Sequence, residues 1–159
     1  MNGQLKNKEK GFTIIEVVLV LAIAGLIFLM VFIALPALQR NQRDTQRKND
    51  MSRVITALTS YQSNNRQALP ASTSAAYALF LTNYLRAGGD TFQDPSSGNY
   101  KFVPKAIVRT APTVALSTTP EIWQYDKSTC SGESIIAAGS NKVAFAAKLE
   151  GGGVACVNN

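Results

Sequence analysis

The sequence contains no histidine and only two cysteines, Cys130 and Cys156. The commonest general base and the commonest zinc ligand are therefore missing, and the cysteines do not form a Cys-x-x-Cys motif. There is no phosphate-binding glycine loop. Asp90, Asp94 and Asp126 are too widely spaced for a calcium loop, and we interpret them as turn residues. The sequence predicts a protein that is not an enzyme and that uses no metal and no cofactor.

Charge is also absent from residues 17–38, within an apolar run that begins at Phe12. As a helix, residues 12–38 would rise about 40 Å, which exceeds the roughly 30 Å of a bilayer core. Glu16 lies inside this run. A carboxylate in a membrane helix costs about 2.5 kcal/mol or more at the centre, so we expect Glu16 to have a partner and a function.

Two general interpretations of residues 1–38 are open. In an ordinary signal peptide, the three lysines of the leader would form the basic region and residues 22–24 (AIA) would offer a cleavage site. That interpretation leaves Glu16 in the apolar region and a long apolar mature terminus. A generic signal anchor explains the length of the run, but neither Glu16 nor the junction of residues 11 and 12.

Residues 10–16 (KGFTIIE) resemble the processing site of the type IV pilins and of the pseudopilins of type II secretion. The resemblance implies that a prepilin peptidase cuts between Gly11 and Phe12, and that Phe12 is then N-methylated. It also implies that Glu16 pairs with the N-terminal amine of a neighbouring subunit and sets the assembly register. Each buried charge is costly alone and tolerable when it is paired.

The resemblance implies a structural subunit of a type IV pilus or related filament. Before assembly it would be a single-pass protein of the cytoplasmic membrane with its head outside the cytoplasm, and afterwards part of a cell-surface pilus. Its partners would be other pilin subunits, the prepilin peptidase and methyltransferase, a membrane assembly platform and the lipid bilayer. The alternatives are a type II secretion pseudopilin and a membrane-anchored binding domain that does not assemble.

The expected organisation is a leader at residues 1–11, a transmembrane or filament-core helix at 12–38, the amphipathic half of the same helix at 39–65, and a head at 66–159. Met51, Val54, Ile55, Leu58 and Tyr61 recur with helical spacing and form one apolar stripe. We expect one helix from about residue 12 to about residue 64.

Gly25 and Pro36 interrupt the apolar half of this helix. Proline lacks an amide donor and clashes with the preceding turn, so Pro36 predicts a kink. Gly25 is interpreted either as a second point of bending or as a small-residue packing contact.

A basic cluster follows the apolar run, at Arg40, Arg43, Arg47, Lys48 and Arg53. Three explanations are open: anionic lipid headgroups, acidic groups of adjacent subunits, and nucleic acid. By a bare count of lysine and arginine, the positive-inside rule favours the opposite orientation to the one that the cleavage motif requires.

The head is predicted to be α+β, with the long helix packed on a small antiparallel β-sheet. A short helix is expected between Ser72 and the Gly88-Gly89 pair. Strands are expected at 100–103, 107–109, 113–116, 122–125 and 135–138, followed by a hairpin of 142–149 and 154–157 around a glycine turn.

An exported chain with two cysteines suggests one disulfide, Cys130–Cys156, although two free buried thiols are the alternative. The bond would tie the final strand to the loop before the hairpin and contribute about 3–4 kcal/mol. In pilins such a bond often bounds an exposed variable region, and the match here is one of position.

Overall fold

The computed structural model describes residues 11–71, 73–105 and 120–159. The chain divides into two compact units, which we call the apolar unit (residues up to 38) and the head unit (residues 39–159). One helix, α1 (Ile14–Asn64, 51 residues), contributes to both. The prediction of a single long helix is confirmed.

Within the head unit, α1 buries one stripe. Met51, Val54, Ala57 and Leu58 are at most 6% exposed, and their spacing of three and four residues places them on one helix face. The helix ends at Asn64, and Arg66 and Gln67 then adopt left-handed backbone conformations, with φ of 52° and 65°. The amide of Gln67 closes this turn on the Gln62 carbonyl at 2.8 Å.

The predicted short helix is α2 (Ser74–Phe80). The Thr73 hydroxyl accepts a hydrogen bond from the Ala76 amide at 3.3 Å and so caps it. A π-helical turn (Leu81–Leu85) and a 3₁₀ turn (Ala87–Gly89) follow. Gly88 has a φ of 76°, which explains the choice of glycine where the helix stops.

The described part of the head unit contains eight strands. Four form the central sheet, in the order β3-β4-β7-β8, and the others form two-stranded ribbons, β1-β2 and β5-β6. Their bounds are β1 Gln93–Asp94, β2 Gly98–Asn99, β3 Lys101–Lys105, β4 Glu121–Asp126, β5 Ser128–Ser131, β6 Ser134–Ala137, β7 Val143–Lys148 and β8 Val154–Asn158.

The predicted antiparallel sheet is present, and it includes one parallel pair that the sequence did not indicate. β4, β7 and β8 pair antiparallel as expected, but β3 runs parallel to β4. Parallel neighbours need a connection of a dozen or more residues, and residues 106–120 supply that length. The strands predicted at 107–109 and 113–116 lie outside the described residues.

The other predicted strands are present to within two residues, and the hairpin β7-β8 is the clearest match. The sequence interpretation missed β5, however. Cys130 therefore lies in a strand and not in a loop, and the Cys130–Cys156 disulfide links the β5-β6 ribbon to β8, with the two Cα atoms 5.8 Å apart.

Both faces of the central sheet are covered. One face packs against α1 and α2 through a core that includes Leu58, Phe80 and Phe145. The opposite face carries Trp123 and Tyr125 and lies under Ile135 of the β5-β6 ribbon. The head unit therefore has its own apolar core, to which α1 contributes from Met51 onward.

Candidate functional site: the first turn of the long helix and its apolar surface

The predicted processing junction lies immediately before α1. Gly11, Phe12 and Thr13 are not helical, and the helix begins at Ile14. Phe12 is 91% exposed, and a Cβ added at Gly11 would meet nothing within 4 Å. The peptide bond between Gly11 and Phe12 therefore lies in exposed, non-helical backbone.

Glu16 has a partner in its own helical turn. One carboxylate oxygen, Oε2, accepts hydrogen bonds from the Thr13 amide at 2.8 Å and from the Thr13 hydroxyl at 2.7 Å. The Glu16 amide in turn donates to the Thr13 hydroxyl at 3.4 Å. This reciprocal arrangement is a capping box, and it satisfies donors that the start of a helix otherwise leaves free.

The sequence signal for this cap is present in residues 13–16 (TIIE), which fit the pattern Ser/Thr-x-x-Glu before an apolar run. The sequence interpretation missed it. Glu16 therefore caps its own helix within a single chain. If Glu16 also pairs with another subunit, it either keeps these hydrogen bonds to Thr13 or exchanges them for the new pair.

The apolar unit presents an almost unbroken apolar surface. Every residue from 11 to 38 is exposed except Ala24, which is half-buried. The large apolar side chains in this range are 48–91% exposed. Soluble single chains rarely leave so much contiguous apolar surface in water, and such a surface marks a membrane or protein interface.

Among the described residues, α1 is the helix that is long and apolar enough to cross a membrane. It continues without a break through Gly25 and Pro36. A Cβ at Gly25 would meet nothing within 4 Å, so a packing role for this glycine would require another molecule. The kink at Pro36 stays a prediction.

The basic cluster has a different environment from the one predicted. Arg47 is 4% exposed and is surrounded by carboxylates of the same chain. Its guanidinium donates to both carboxylate oxygens of Asp94, at 2.5 and 3.1 Å, to Glu150 at 2.7 Å and to Asp44 at 3.1 Å. Arg43 binds Glu150 through two nitrogens, with a closest distance of 2.7 Å. We call these five residues the ionic clamp.

The carboxylate of Asp44 binds the backbone of the β7-β8 turn. It accepts hydrogen bonds from the amides of Glu150 at 2.8 Å and Gly151 at 2.7 Å. Its ion pair is with Arg47, three residues on in the helix. The inward-facing backbone donors determine where this carboxylate points.

Three of the five basic residues are therefore bound within the chain, because Arg53 also pairs, with Asp50 and Asp90. Lipid headgroups, acidic groups of other subunits and nucleic acid do not account for Arg43, Arg47 and Arg53. Arg40 and Lys48 are exposed, and the three explanations stay open for these two.

The contacts of the clamp shift the pKa values of Arg47, Asp94 and Glu150. The hydrogen bonds of Arg43, opposed by partial burial and reinforced by Arg47, lower the pKa of Glu150 to about 2. Burial alone would raise the pKa of Asp94, but hydrogen bonds from Arg47 and Ser96 hold it well below its usual range. Burial likewise opposes the charge of Arg47, and its bonds to Asp94 and Glu150 raise its pKa. Arg47, Asp94 and Glu150 are thus charged at neutral pH.

Asp94 also forms the turn that the sequence predicted. Its Oδ1 accepts hydrogen bonds from the amides of Ser96 at 2.9 Å and Ser97 at 3.1 Å. Within the described residues, no group of three or more acidic or cysteine side chains is placed to hold a metal ion.

The fold and the helix together define a class of protein: a small α+β head unit joined to an apolar helix of membrane-spanning length. Residues 6–32 match the family model of the prokaryotic N-terminal methylation motif, which is the signature of the precursors of type IV pilins and pseudopilins. The α+β layout fits the pilin-like fold. No curated protein and no solved structure matches the chain.

The matched range ends within the apolar unit, so the match concerns the N-terminal segment and not the head. It supports a type IV pilin-like or pseudopilin precursor. Proteins that carry this motif are structural and not catalytic, and the motif implies processing by a prepilin peptidase and anchoring in a membrane.

Proposed function

We propose that this chain is the precursor of a filament subunit of the type IV pilin class. It is cleaved between Gly11 and Phe12, N-methylated at Phe12 and assembled through the helix of residues 12–38. The observation that carries this proposal is the exposed apolar surface of that helix, most of which lies within the methylation motif of residues 6–32.

The same surface serves two environments. Before assembly, lipid covers residues 12–38, with the head outside the cytoplasm. After extraction by a membrane assembly platform, the corresponding helices of other subunits cover it. Both environments are apolar, so the transfer removes little apolar surface from a favourable medium.

Glu16 determines the register of this packing. Cleavage after Gly11 creates a new amine at Phe12, and Glu16 of one subunit pairs with that amine in the next. An apolar helix can slide along its neighbour with little change in energy, whereas an ion pair in a medium of low dielectric favours one offset. In the single chain, the Thr13 cap holds the carboxylate at the start of the helix, close to where the amine forms.

The capping box also favours a second candidate function. If Glu16 serves only to cap its own helix, the chain is a membrane-anchored binding domain that never assembles. A pseudopilin of type II secretion is the third candidate, since the methylation motif occurs in both pilins and pseudopilins.

Mass spectrometry of the intact protein and its N-terminal peptide, from the native host, tests processing first. The expected chain starts at Phe12 and carries one added methyl group on its amine. A chain that starts at Met1 or Asn2 would support the simple anchor, and one that starts at Gly25 would support a secreted domain. Either result would contradict the proposal.

Substitution Glu16→Gln tests assembly. Glutamine can still accept the Thr13 hydrogen bonds of the capping box, but it cannot form an ion pair. We expect filament yield to fall at least about tenfold, because charge-assisted hydrogen bonds are roughly twice as strong as neutral ones. Membrane insertion and processing should be unchanged.

Thr13→Ala is the matched control, because it weakens the cap and keeps the charge of Glu16. It should reduce filament yield much less than Glu16→Gln does. Equal yields of the two variants, or normal assembly of Glu16→Gln, would show that Glu16 acts only as a cap. Two observations separate the remaining candidates. Filaments that extend beyond the envelope of cells that make the protein indicate a pilus, whereas failure of secretion after deletion of the gene indicates a pseudopilus.

A further inference from the structure

Residues 39–50 (QRNQRDTQRKND) form the part of α1 that joins the two units along the chain, and they contain no apolar residue. Asp44, Arg47 and Asp50 are nevertheless buried, at 4–8% exposure. The first α1 side chain in the apolar core is Met51. This stretch is therefore attached to the rest of the head unit by polar contacts and not by apolar burial.

The ionic clamp supplies these contacts. Outside α1 itself, Arg43, Asp44 and Arg47 form the hydrogen bonds that connect this stretch to the rest of the head unit. They end at two separate turns, one at Asp94 and Ser96 and the other at Glu150 and Gly151. Asp50 bonds the hydroxyl of Tyr100, a core residue, at 2.9 Å and so belongs with the core.

Ionic and apolar attachments respond differently when they separate. An apolar face that leaves the core exposes surface to water and destabilises the whole unit. The members of the clamp regain hydration when they separate, so much of the lost interaction is replaced by water. A helical stretch held only in this way can open while the core beyond Met51 stays folded.

We infer that residues 39–49 form a separately releasable arm, and that the ionic clamp decides whether this arm is docked on the head. Opening of the arm breaks the bonds of Arg43 and Arg47 to Asp94 and Glu150 and leaves the central sheet intact. The arm lies in the chain between the apolar segment and the core. The inference does not depend on filament assembly.

Native-state hydrogen exchange of the full chain in detergent micelles tests this inference. In the wild type, the amides of residues 43–49 and of Glu150 and Gly151 should open together, at lower denaturant than those of β4 and β7. In Arg47→Met, exchange at these amides should accelerate at least about tenfold, while β4 and β7 change by less than about threefold. Arg40→Met is the control, because Arg40 lies exposed on the same arm and makes no ion pair among the described residues.

Loss of Arg47 leaves buried carboxylates without a counter-ion, so a milder second variant keeps the test decisive where Arg47→Met does not fold. Glu150→Gln is the second variant: it keeps the shape of the side chain and removes the charge shared by Arg43 and Arg47. It should accelerate exchange in the arm by a smaller factor than Arg47→Met and spare β4 and β7. Uniform acceleration through the sheet in both folded variants, or unchanged exchange in the arm, would overturn the inference.

Discussion

The two halves of α1 share one continuous helical backbone but differ in the chemistry and exposure of their side chains. The first half, to residue 38, is apolar and exposed, whereas the second half is polar at its start and buries one apolar stripe in the head unit. The head unit supplies the partners of the second half, including the carboxylates that bind Arg43 and Arg47. The large apolar side chains of the first half are exposed, so the two halves differ in whether their apolar residues belong to a core.

The largest expected effect comes from removing the first half altogether. A chain of residues 39–159 should lose its partition into membranes and detergent, since it lacks the exposed apolar surface. Its free energy of unfolding should differ from that of the full chain by less than about 0.5 kcal/mol, because residues 12–38 contribute nothing to the core. Sedimentation velocity measures the association with detergent, and circular dichroism melts measure the stability. Failure of the truncated chain to fold would contradict the division into two units.

A matched pair of leucines tests the same difference within the intact chain. Leu58 is fully buried and Leu26 is 68% exposed. Leu58→Ala should lower the free energy of unfolding of the head by about 2–5 kcal/mol, since it removes buried methyl groups and leaves a cavity. Leu26→Ala should leave head unfolding in denaturant unchanged within about 0.5 kcal/mol and should act only on membrane partition or assembly. Equal effects of the two substitutions on unfolding would contradict the division into two units.

Local signals in the sequence predicted much of this architecture. The periodic stripe from Met51 to Tyr61 and the charge-free run predicted α1, and the glycine turn predicted the hairpin β7-β8. The cap formed by Thr13 and Glu16 is equally local, since residues 13–16 alone carry the Ser/Thr-x-x-Glu pattern that produces it.

Features that depend on distant contacts were not predictable. Arg47 binds Asp94 and Glu150, which are 47 and 103 residues away in the sequence. No local pattern therefore indicates that this arginine is buried. The parallel pairing of β3 with β4 likewise depends on which edge of the sheet is free, and the hydrophobic pattern of a single strand does not encode that.

Acid sharpens the comparison, because it weakens the ionic clamp that binds the second half of α1 to the rest of the head unit. The pKa of Glu150 is about 2 in the folded chain, against an ordinary value of 4.5. A carboxyl group whose pKa is lowered by folding stabilises the folded chain at pH values above its ordinary pKa. This stabilisation is lost as the pH falls through the pKa of the folded chain. The contribution of Glu150 to the free energy of unfolding in denaturant should therefore be constant above about pH 5.5 and should decline between about pH 4.5 and 2. Glu150→Gln should flatten this part of the profile, and an unchanged profile would show that Glu150 does not couple to folding.

The smallest expected effect tests whether backbone strain in the head unit is local. Lys127 joins β4 to β5 with a φ of 52°, a left-handed conformation that side chains disfavour by about 1–2 kcal/mol. Lys127→Gly should relieve that strain but make the unfolded chain more flexible, for a net gain of about 0.5 kcal/mol in the free energy of thermal or denaturant unfolding.

Gly132, in the turn after β5, is the opposite control: its φ is 61° and a Cβ there would meet nothing within 4 Å. Gly132→Ala should therefore destabilise the head by about 1 kcal/mol through the backbone alone. Because both positions lie in the head unit, neither change should alter membrane partition, and a shift in partition would show that the two units are coupled more tightly than their separate chemistry implies.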